Sequence, residues 1–509
     1  MNHGDASSSM VNGNSSKLTM MSYFARFNYT FADKYLIELT GRYDGSSKFP
    51  NNSQWGFFPS ASAAWRLSEE RFWKVDPKFL SNVKLRMSYG ALGNSNVNPY
   101  SYLEKFSLST FSTTGTSTDG RYLDGSAKLR YTKNPSQIPD NIGWETSKTV
   151  DVGIDLGFLH NKITLSADYY VRKTIDMYTV GPTLPDTFGA SSPKGNYADM
   201  STYGYEISLG YNDSFKLADR PLSFGVKVTL ADYYSVIDKY NNPTRDLDDY
   251  YVGQRIGEIW GYVCNGLFQS QDAIDTAFNG KGYKNDIMQT SVNYITHPGD
   301  MRFEDLNGTN SIDKGANTVD SPGDRQIIGN EEPRYIYTFS FSADWNNFFL
   351  SAMFDGVGKQ DWYPSGESSF WGQYNRPYNQ VPTWHLNNYW TEDNPNAYLP
   401  RYSGYYNPLY KGTANTRYLQ DVSYIRLKNF QFGYNLPKKW IAKAGLSHVS
   451  VYFSGENLWS WSPLYRYTKD YDVTVVTKGS DSDITSGNKG DGFNYPTMRN
   501  FSFGISITY

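Results

Sequence analysis

The stretch NFSFGISITY, residues 500–509, closes the chain and carries the pattern that decides the fold. Phe501, Phe503, Ile505, Ile507 and Tyr509 share one parity, and Asn500, Ser502, Gly504, Ser506 and Thr508 share the other. Successive side chains of a β-strand point to opposite faces. One face of this strand is therefore wholly apolar and the other is polar. The same alternation recurs upstream: Ile163, Leu165, Ala167, Tyr169 and Val171 interleave with Thr164, Ser166, Asp168, Tyr170 and Arg172. In 23–31, Tyr23, Ala25, Phe27, Tyr29 and Phe31 alternate with Phe24, Arg26, Asn28 and Thr30. Charges sit on the polar face without breaking the apolar one, as in the wall of a transmembrane β-barrel with a wet interior.

Read in this way, the chain contains about thirteen strands, near 19–31, 35–45, 56–67, 81–92, 145–158, 162–177, 199–212, 221–236, 334–345, 347–357, 418–434, 447–458 and 495–509. In the eleventh, Ile425 and Leu427 have one parity and Phe430, Phe432 and Tyr434 the other. A β-bulge at Lys428 or Asn429 would keep all five on one face. The connections alternate in length. Short ones fall at 32–34, 159–161, 212–220 and 345–346, and two intermediate ones, 68–80 and 436–446, read as brief amphipathic helices. Long ones fall at about 93–144, 178–198, 237–333, 359–417 and 459–494, with 46–55 a brief member of the same set. Outer-membrane barrels pair short periplasmic turns with long extracellular loops. With the last strand ending in the periplasm, every connection falls on the matching side. A soluble sandwich has no reason to keep that parity.

Composition agrees. The 509 residues include 44 Tyr, 29 Phe and 13 Trp, and aromatics make up 17%. Mean hydropathy is −0.61, and no apolar run is long enough for a transmembrane helix. Half-apolar membrane strands produce such a low mean. A net charge of −3 gives no basis for nucleic-acid binding. Cys264, the single cysteine, excludes an internal disulfide and reads as a loop thiol. Residues 1–17 (MNHGDASSSMVNGNSSK) lack the basic and apolar regions of a secretory signal. They read as part of an extracellular loop, with an N-terminal portion expected before them. Thirteen strands are an odd count, whereas bacterial single-chain barrels are even. Counted back from 22, the size of plugged outer-membrane transporters, the chain would begin at about strand ten.

Several stretches resemble the SusC/RagA family of TonB-dependent transporters. They include YFARFNYTFADKYLIELTGRYDGSSKF (23–49), GFFPSASAAWRLSEERFW (56–73), VKLRMSYGALGN (83–94) and NIGWETSKTVDVGIDLGFLHNKITLSADYYVRKT (141–174). Further on are GEIWGYVCNGLFQS (257–270), PGDMRFEDLNG (298–308), YIRLKNFQFGYNLPKKW (424–440), VSVYFSGENLW (449–459) and YPTMRNFSFGISITY (495–509). The resemblance implies a 22-stranded barrel in the outer membrane of a Gram-negative bacterium, holding an N-terminal plug. It also implies a SusD-like surface lipoprotein over the mouth and import of glycans or peptides powered by TonB–ExbB–ExbD. On that pattern, the signal peptide, TonB box, plug and early strands are expected to precede this sequence. The C-terminal Phe501, Phe503, Ile505, Ile507 and Tyr509 resemble the signal read by the barrel assembly machinery, a role compatible with simply facing outer-membrane lipid.

Three groups are candidate sites. Trp362, Tyr363, Trp371, Tyr374, Tyr378, Trp384, Tyr389 and Trp390 crowd the 359–417 loop. Flat aromatic faces there would stack on sugar rings or anchor the lipoprotein, or else pack within the loop itself. Asp305, Asn307 and Asp313 have the spacing of oxygen ligands in a calcium loop, with Thr309 at position five and Asp320 and Asp324 as helpers. Ala316 at position twelve and Asn310 in place of the turn glycine depart from that pattern, so the alternative is a turn ordered by side-chain hydrogen bonds. Arg26, Glu38, Arg42, Arg66, Lys84, Arg86, Asp151, Asp155 and Asp168 project from the polar faces and read as lumen charges. His3, His160, His297, His385 and His448 are scattered, and no HExxH, GxSxG or GxxxxGK[ST] pattern occurs. The expected activity is thus import, not enzymic, and no cofactor is required beyond the calcium candidate. The competing readings are a passive porin-like channel and a soluble all-β glycan-binding protein or glycosidase.

Overall fold

The computed structural model describes residues 15–106, 108–110, 130–132, 135, 137–139, 141–181, 187, 192–287, 295–364, 370–371, 381–402, 413–476 and 496–509. Thirteen strands form one antiparallel sheet in which each pairs with its neighbour in the chain. They are β1 (Met20–Phe31), β2 (Tyr35–Ser46), β3 (Trp55–Arg66), β4 (Leu80–Asn94), β5 (Glu145–Phe158), β6 (Ile163–Val180), β7 (Lys194–Leu217), β8 (Arg220–Lys239), β9 (Arg334–Trp345), β10 (Phe348–Lys359), β11 (Tyr424–Asn435), β12 (His448–Trp461) and β13 (Asn500–Thr508). Every other sheet among the described residues has two strands and lies within the long loops.

The register puts the apolar parities on one continuous face. Tyr43 is opposite both Tyr23 and Phe57. Val150 is opposite both Tyr89 and Val171, and Phe453 is opposite both Phe432 and Phe503. No second sheet covers this face among the described residues, and Phe503 is 84% exposed. A water-soluble sandwich would bury such a surface between its layers. Left bare over thirteen strands, it is the lipid face of a barrel wall. Arg26, Arg42, Arg86, Asp155 and Asp168 project from the opposite face.

The expected bulge lies at Lys428. Leu427 and Asn429 pair with consecutive residues of β10, Phe354 and Met353, and Lys428 is skipped on both sides. Ile425, Leu427, Phe430 and Phe432 consequently all face outward. Three strands differ from expectation by five or more residues at an end. β11 starts at Tyr424 rather than 418, because Gln420 and Asp421 pair instead with Trp362 and Asp361. β13 starts at Asn500 rather than 495, because the Thr497 amide donates to Asp472 Oδ2 at 2.7 Å. β7 runs past both expected ends, reaching β6 through two register shifts and closing a tight hairpin with β8.

Four hairpins turn on consecutive left-handed residues: Ala32 and Asp33, Leu159 to Asn161, Ala218 and Asp219, Asn346 and Asn347. Two positive φ values in a row give the turn twist that matches right-handed strands. The 68–80 connection, expected to be helical, holds only the short 3-10 turn Leu67–Glu69. Next to it, Glu70 accepts from Lys34, Tyr35 and Trp65 at 3.1, 2.6 and 3.1 Å. Those bonds pull the chain back onto the sheet rim before a helix can propagate. In 436–446, the single turn Lys438–Ile441 and a 3-10 turn end at Gly445 with φ 71°.

Candidate functional site: the loops at one end of the sheet

The short turns lie at one end of the strands, and the long connections emerge at the other. The connection between β8 and β9 is pinned where it leaves and where it returns. Arg334 donates from Nε and Nη2 to the two Asp232 oxygens, each at 2.5 Å. The Arg255 guanidinium lies 4.6 Å from the Tyr234 ring centroid. Within this loop Glu258–Tyr262 pairs with Arg325–Asn330, and Cys264–Leu267 pairs with Met301–Phe303.

The connection between β10 and β11 docks onto it. The Tyr262 amide donates to the Ala414 carbonyl at 2.9 Å, and the Thr416 amide to the Tyr262 carbonyl at 3.0 Å. Asp361 Oδ2 accepts from the Asn330 amide at 2.9 Å, and Arg401 Nε donates to buried Asp300 Oδ1 at 2.8 Å. The two loops, joined by part of the β12–β13 connection, bury one shared apolar core. Trp362, Phe370, Trp371, Leu399 and Tyr418 lie at its centre.

That core is where the aromatic candidates sit. Trp371 is 1% exposed, stands edge-on to Tyr418 at 5.0 Å, and satisfies its indole N–H on the Pro364 carbonyl at 3.0 Å. Trp362 is buried against Phe370 and Tyr471. Trp390 is buried and donates to Gln269 Oε1 at 3.1 Å. Trp384, Tyr363 and Tyr389 are half-buried residues that pack around the core. The Tyr363 hydroxyl accepts from Asn415 Nδ2 at 2.8 Å. Tyr374 and Tyr378 lie outside the described residues. Cys264 belongs to the same core, where burial pushes its thiol up to about 11.

Asp305, Asn307 and Asp313 do come together, with Asp324 beneath them. Asp305 Oδ1 accepts from the Gly308 amide at 2.7 Å and Oδ2 from the Asn310 amide at 2.8 Å. Asp313 Oδ1 accepts from the Gly315 amide at 2.7 Å, and its Oδ2 from the Thr309 hydroxyl at 3.0 Å. Fully buried Asp324 accepts from the Leu306 and Asp313 amides at 2.7 and 2.8 Å, and burial raises its pKa. The carboxylate oxygens are directed at N–H and O–H donors. Among the described residues no three acidic, His or Cys side chains are grouped as a metal site. The donor set fits a turn ordered by hydrogen bonds better than a cation cage.

The polar face of the sheet is wired in pairs. Arg86 reaches Asp155 at 2.9 and 3.0 Å and Asp168 at 3.0 Å, and Arg26 meets Glu38 at 2.8 Å. Two adjoining cavities of about 460 and 280 Å³ indent this face across β6–β9. Short side chains floor them, among them Ser208, Gly210, Gly225, Ser340 and Ser342, with Lys162 and Asp213 paired at 2.6 Å. Sequence reasoning missed Asp232–Arg334, Asp300–Arg401 and Asp355–Arg426. Their partners lie 71 or more residues apart, and no local signal links them.

The model of the TonB-dependent receptor-like β-barrel family matches residues 2–458. The chain belongs to that family. TonB-dependent receptor P3 of Formosa agariphila is 29% identical over 96% of this chain and 45% of its own length. TonB-dependent receptor SusC of Bacteroides thetaiotaomicron is 26% identical over 96% of this chain and 44% of its own length. The chain thus spans a little under half the length of these TonB-dependent receptors. Among solved structures, the RagAB peptide transporter superposes with a TM-score of 0.71 at 20% identity, over 97% of this chain and 48% of that one. TonB-dependent receptor β-barrels of this family are outer-membrane proteins of Gram-negative bacteria. All three of these relatives are receptors or transporters by name.

Proposed function

We propose that this chain forms wall and extracellular rim of a TonB-dependent transporter that imports an oligosaccharide or a peptide across the outer membrane. The observation that carries the reading is the division of labour across the sheet. One face is apolar over thirteen strands, the other is polar and charge-paired, and three of the long loops at one end, those after β8, β10 and β12, share one core. The apolar face matches lipid, and the polar face with its indented sector over β6–β9 matches a passage for hydrated cargo.

In this reading the loop unit faces a SusD-like lipoprotein, as the likeness to SusC and to the RagAB transporter supports. Coupling to TonB–ExbB–ExbD is assigned to the portion of the longer relatives that this chain does not span. β13 serves as the strand read by the assembly machinery: its Phe501, Phe503, Ile505 and Ile507 face is fully displayed. Peptide as cargo is suggested by the name of the RagAB transporter alone, and oligosaccharide by the aromatic content of the loops.

Energised cells expressing the whole protein test this. Uptake of a fluorescent oligosaccharide or oligopeptide is expected, and it should stop when the proton-motive force is collapsed. Uptake that persists without that force would support a passive channel and reject the proposal.

A further inference from the structure

The lipid-facing side of the sheet is not uniformly convex. Over β2–β5 it carries an apolar groove of about 410 Å³. In the register, Ile37, Ala63, Met87 and Val152 form one cross-strand row. Leu39, Ala61 and Tyr89 form the next row toward the loops, and Tyr35, Trp65 and Leu85 the next toward the turns. β3 therefore presents Ala61 and Ala63 between the taller side chains of β2 and β4. Elsewhere on this face Ala25 and Ala167 stand singly, opposite Gly41 and Ile154.

The turn-side end of the groove is closed by a collar with a polar rim. The Tyr35 and Trp65 rings stack at 6.3 Å. Their hydroxyl and indole N–H both point away from the groove, to Glu70, which also holds Lys34. Those three donors hold the Glu70 carboxyl down at about 2, so the rim is charged at any physiological pH. Aromatic rings with one apolar and one wet end settle at the membrane–water boundary. The collar thus fixes the depth of the groove: it begins at the headgroup level and runs into the hydrocarbon.

The geometry points to this groove as a seat for one acyl chain of a phospholipid in the periplasmic leaflet, with its headgroup at the Lys34–Glu70 rim. The inference rests on the membrane placement proposed above, and the groove is continuous with that lipid-facing band. Inside a bilayer the hydrophobic effect does not distinguish one apolar contact from another, so packing decides. A chain on a flat wall touches protein on one side. A chain in this trough is touched on three, and dispersion contacts add up accordingly. The side chains of these rows are apolar, and the guanidinium of Arg86, which also borders the cavity, is held by Asp155 and Asp168 on the opposite face; this fits an alkyl chain and not a peptide or a sugar.

Native mass spectrometry of the whole protein, extracted from outer membranes in mild detergent, tests the assignment. The unsubstituted protein is expected to carry a retained phospholipid. Ala63→Phe, which fills the floor, should cut that retention roughly tenfold, also after re-addition of palmitoyl-oleoyl phosphatidylethanolamine. Ala343→Phe, on the same face but away from the groove, should not. Equal retention in all variants, or no retained lipid in the unsubstituted protein, would overturn the assignment. Heat-modifiable migration, followed in parallel, reports whether the barrel itself is intact. Its loss in the unsubstituted protein would instead reject the membrane reading on which the inference stands.

Discussion

Arg86 shows what a lumen charge does in this wall. One guanidinium on β4 ties Asp155 of β5 and Asp168 of β6, so it links three strands with planar, two-pronged bonds. Removing it leaves two carboxylates on adjacent strands without their shared cation. Arg86→Met is expected to destabilise the wall by about 2 kcal/mol, below the cost of breaking a fully buried pair, because all three side chains retain some solvent contact. The temperature at which heat-modifiable migration is lost should fall, and an unchanged temperature would show that Arg86 is dispensable. His385 of the loop core gives a different kind of test. Its Nε2 lies 2.7 Å from the Phe370 carbonyl, which can only accept, so that nitrogen carries the proton. Burial against Trp384 and Phe370 pushes its pKa down from 6.5 to about 4. A depressed histidine binds protons more readily when the loop is unfolded. Loop stability is therefore full above pH 6.5 and is lost as pH falls from there toward about 4, with about 3 kcal/mol at stake. Tryptophan fluorescence of the loops should report loosening across that window. A His385→Gln variant should flatten the response, and a pH response that survives the substitution would point to another group.

Among the elements, strand facing is what the chain protects. The Lys428 bulge lets an odd-numbered pair, Ile425 and Leu427, and an even-numbered trio, Phe430, Phe432 and Tyr434, share the lipid face. Deleting Lys428 restores plain alternation from Ile425 to Tyr434 with every apolar side chain still outward. That deletion is expected to leave assembly intact. Deleting Ser351 from the regular strand β10 has no bulge to absorb it. It would turn either Leu350 and Phe348 or Ala352 and Phe354 into the lumen, and assembly should fail. Heat-modifiable electrophoresis of outer-membrane fractions distinguishes the two, and failure of both deletions would show that the bulge does more than set facing. The same parity made the strands readable from sequence. Phe501, Phe503, Ile505 and Ile507 declare a face with no knowledge of their neighbours. The ends were less legible, because Gln420, Asp421 and Thr497 are taken up by contacts with the loops that only the folded chain provides.

Across the molecule, the sheet and the loop unit are two structures held together by different forces. The sheet is a ladder of backbone bonds with an apolar exterior. The loop unit has a soluble-type core whose residues come from three connections. Trp371→Ala should therefore open a cavity in the loops at a cost of about 3–5 kcal/mol and leave the wall assembled. Limited proteolysis should cut the 359–417 region faster while heat-modifiable migration stays unchanged. A barrel that fails to assemble would show that the two structures fold as one. The aromatic content of this loop was visible in sequence as a cluster, with binding and internal packing both open. Burial of Trp362, Trp371 and Trp390 is a property of three loops meeting, and no single loop encodes it.

Alternation along the chain is enough to assign the lipid-facing and lumen-facing residues, the number of strands, the bulge, and the end of the sheet at which the long loops emerge. Each of these follows from a period-two pattern set by local backbone geometry. Folding had to settle the rest: which charges pair across 71 or more residues, which aromatics become core, and where the lipid face is grooved. Those features depend on register and on packing between segments distant in the chain, and side-chain periodicity carries no information about either.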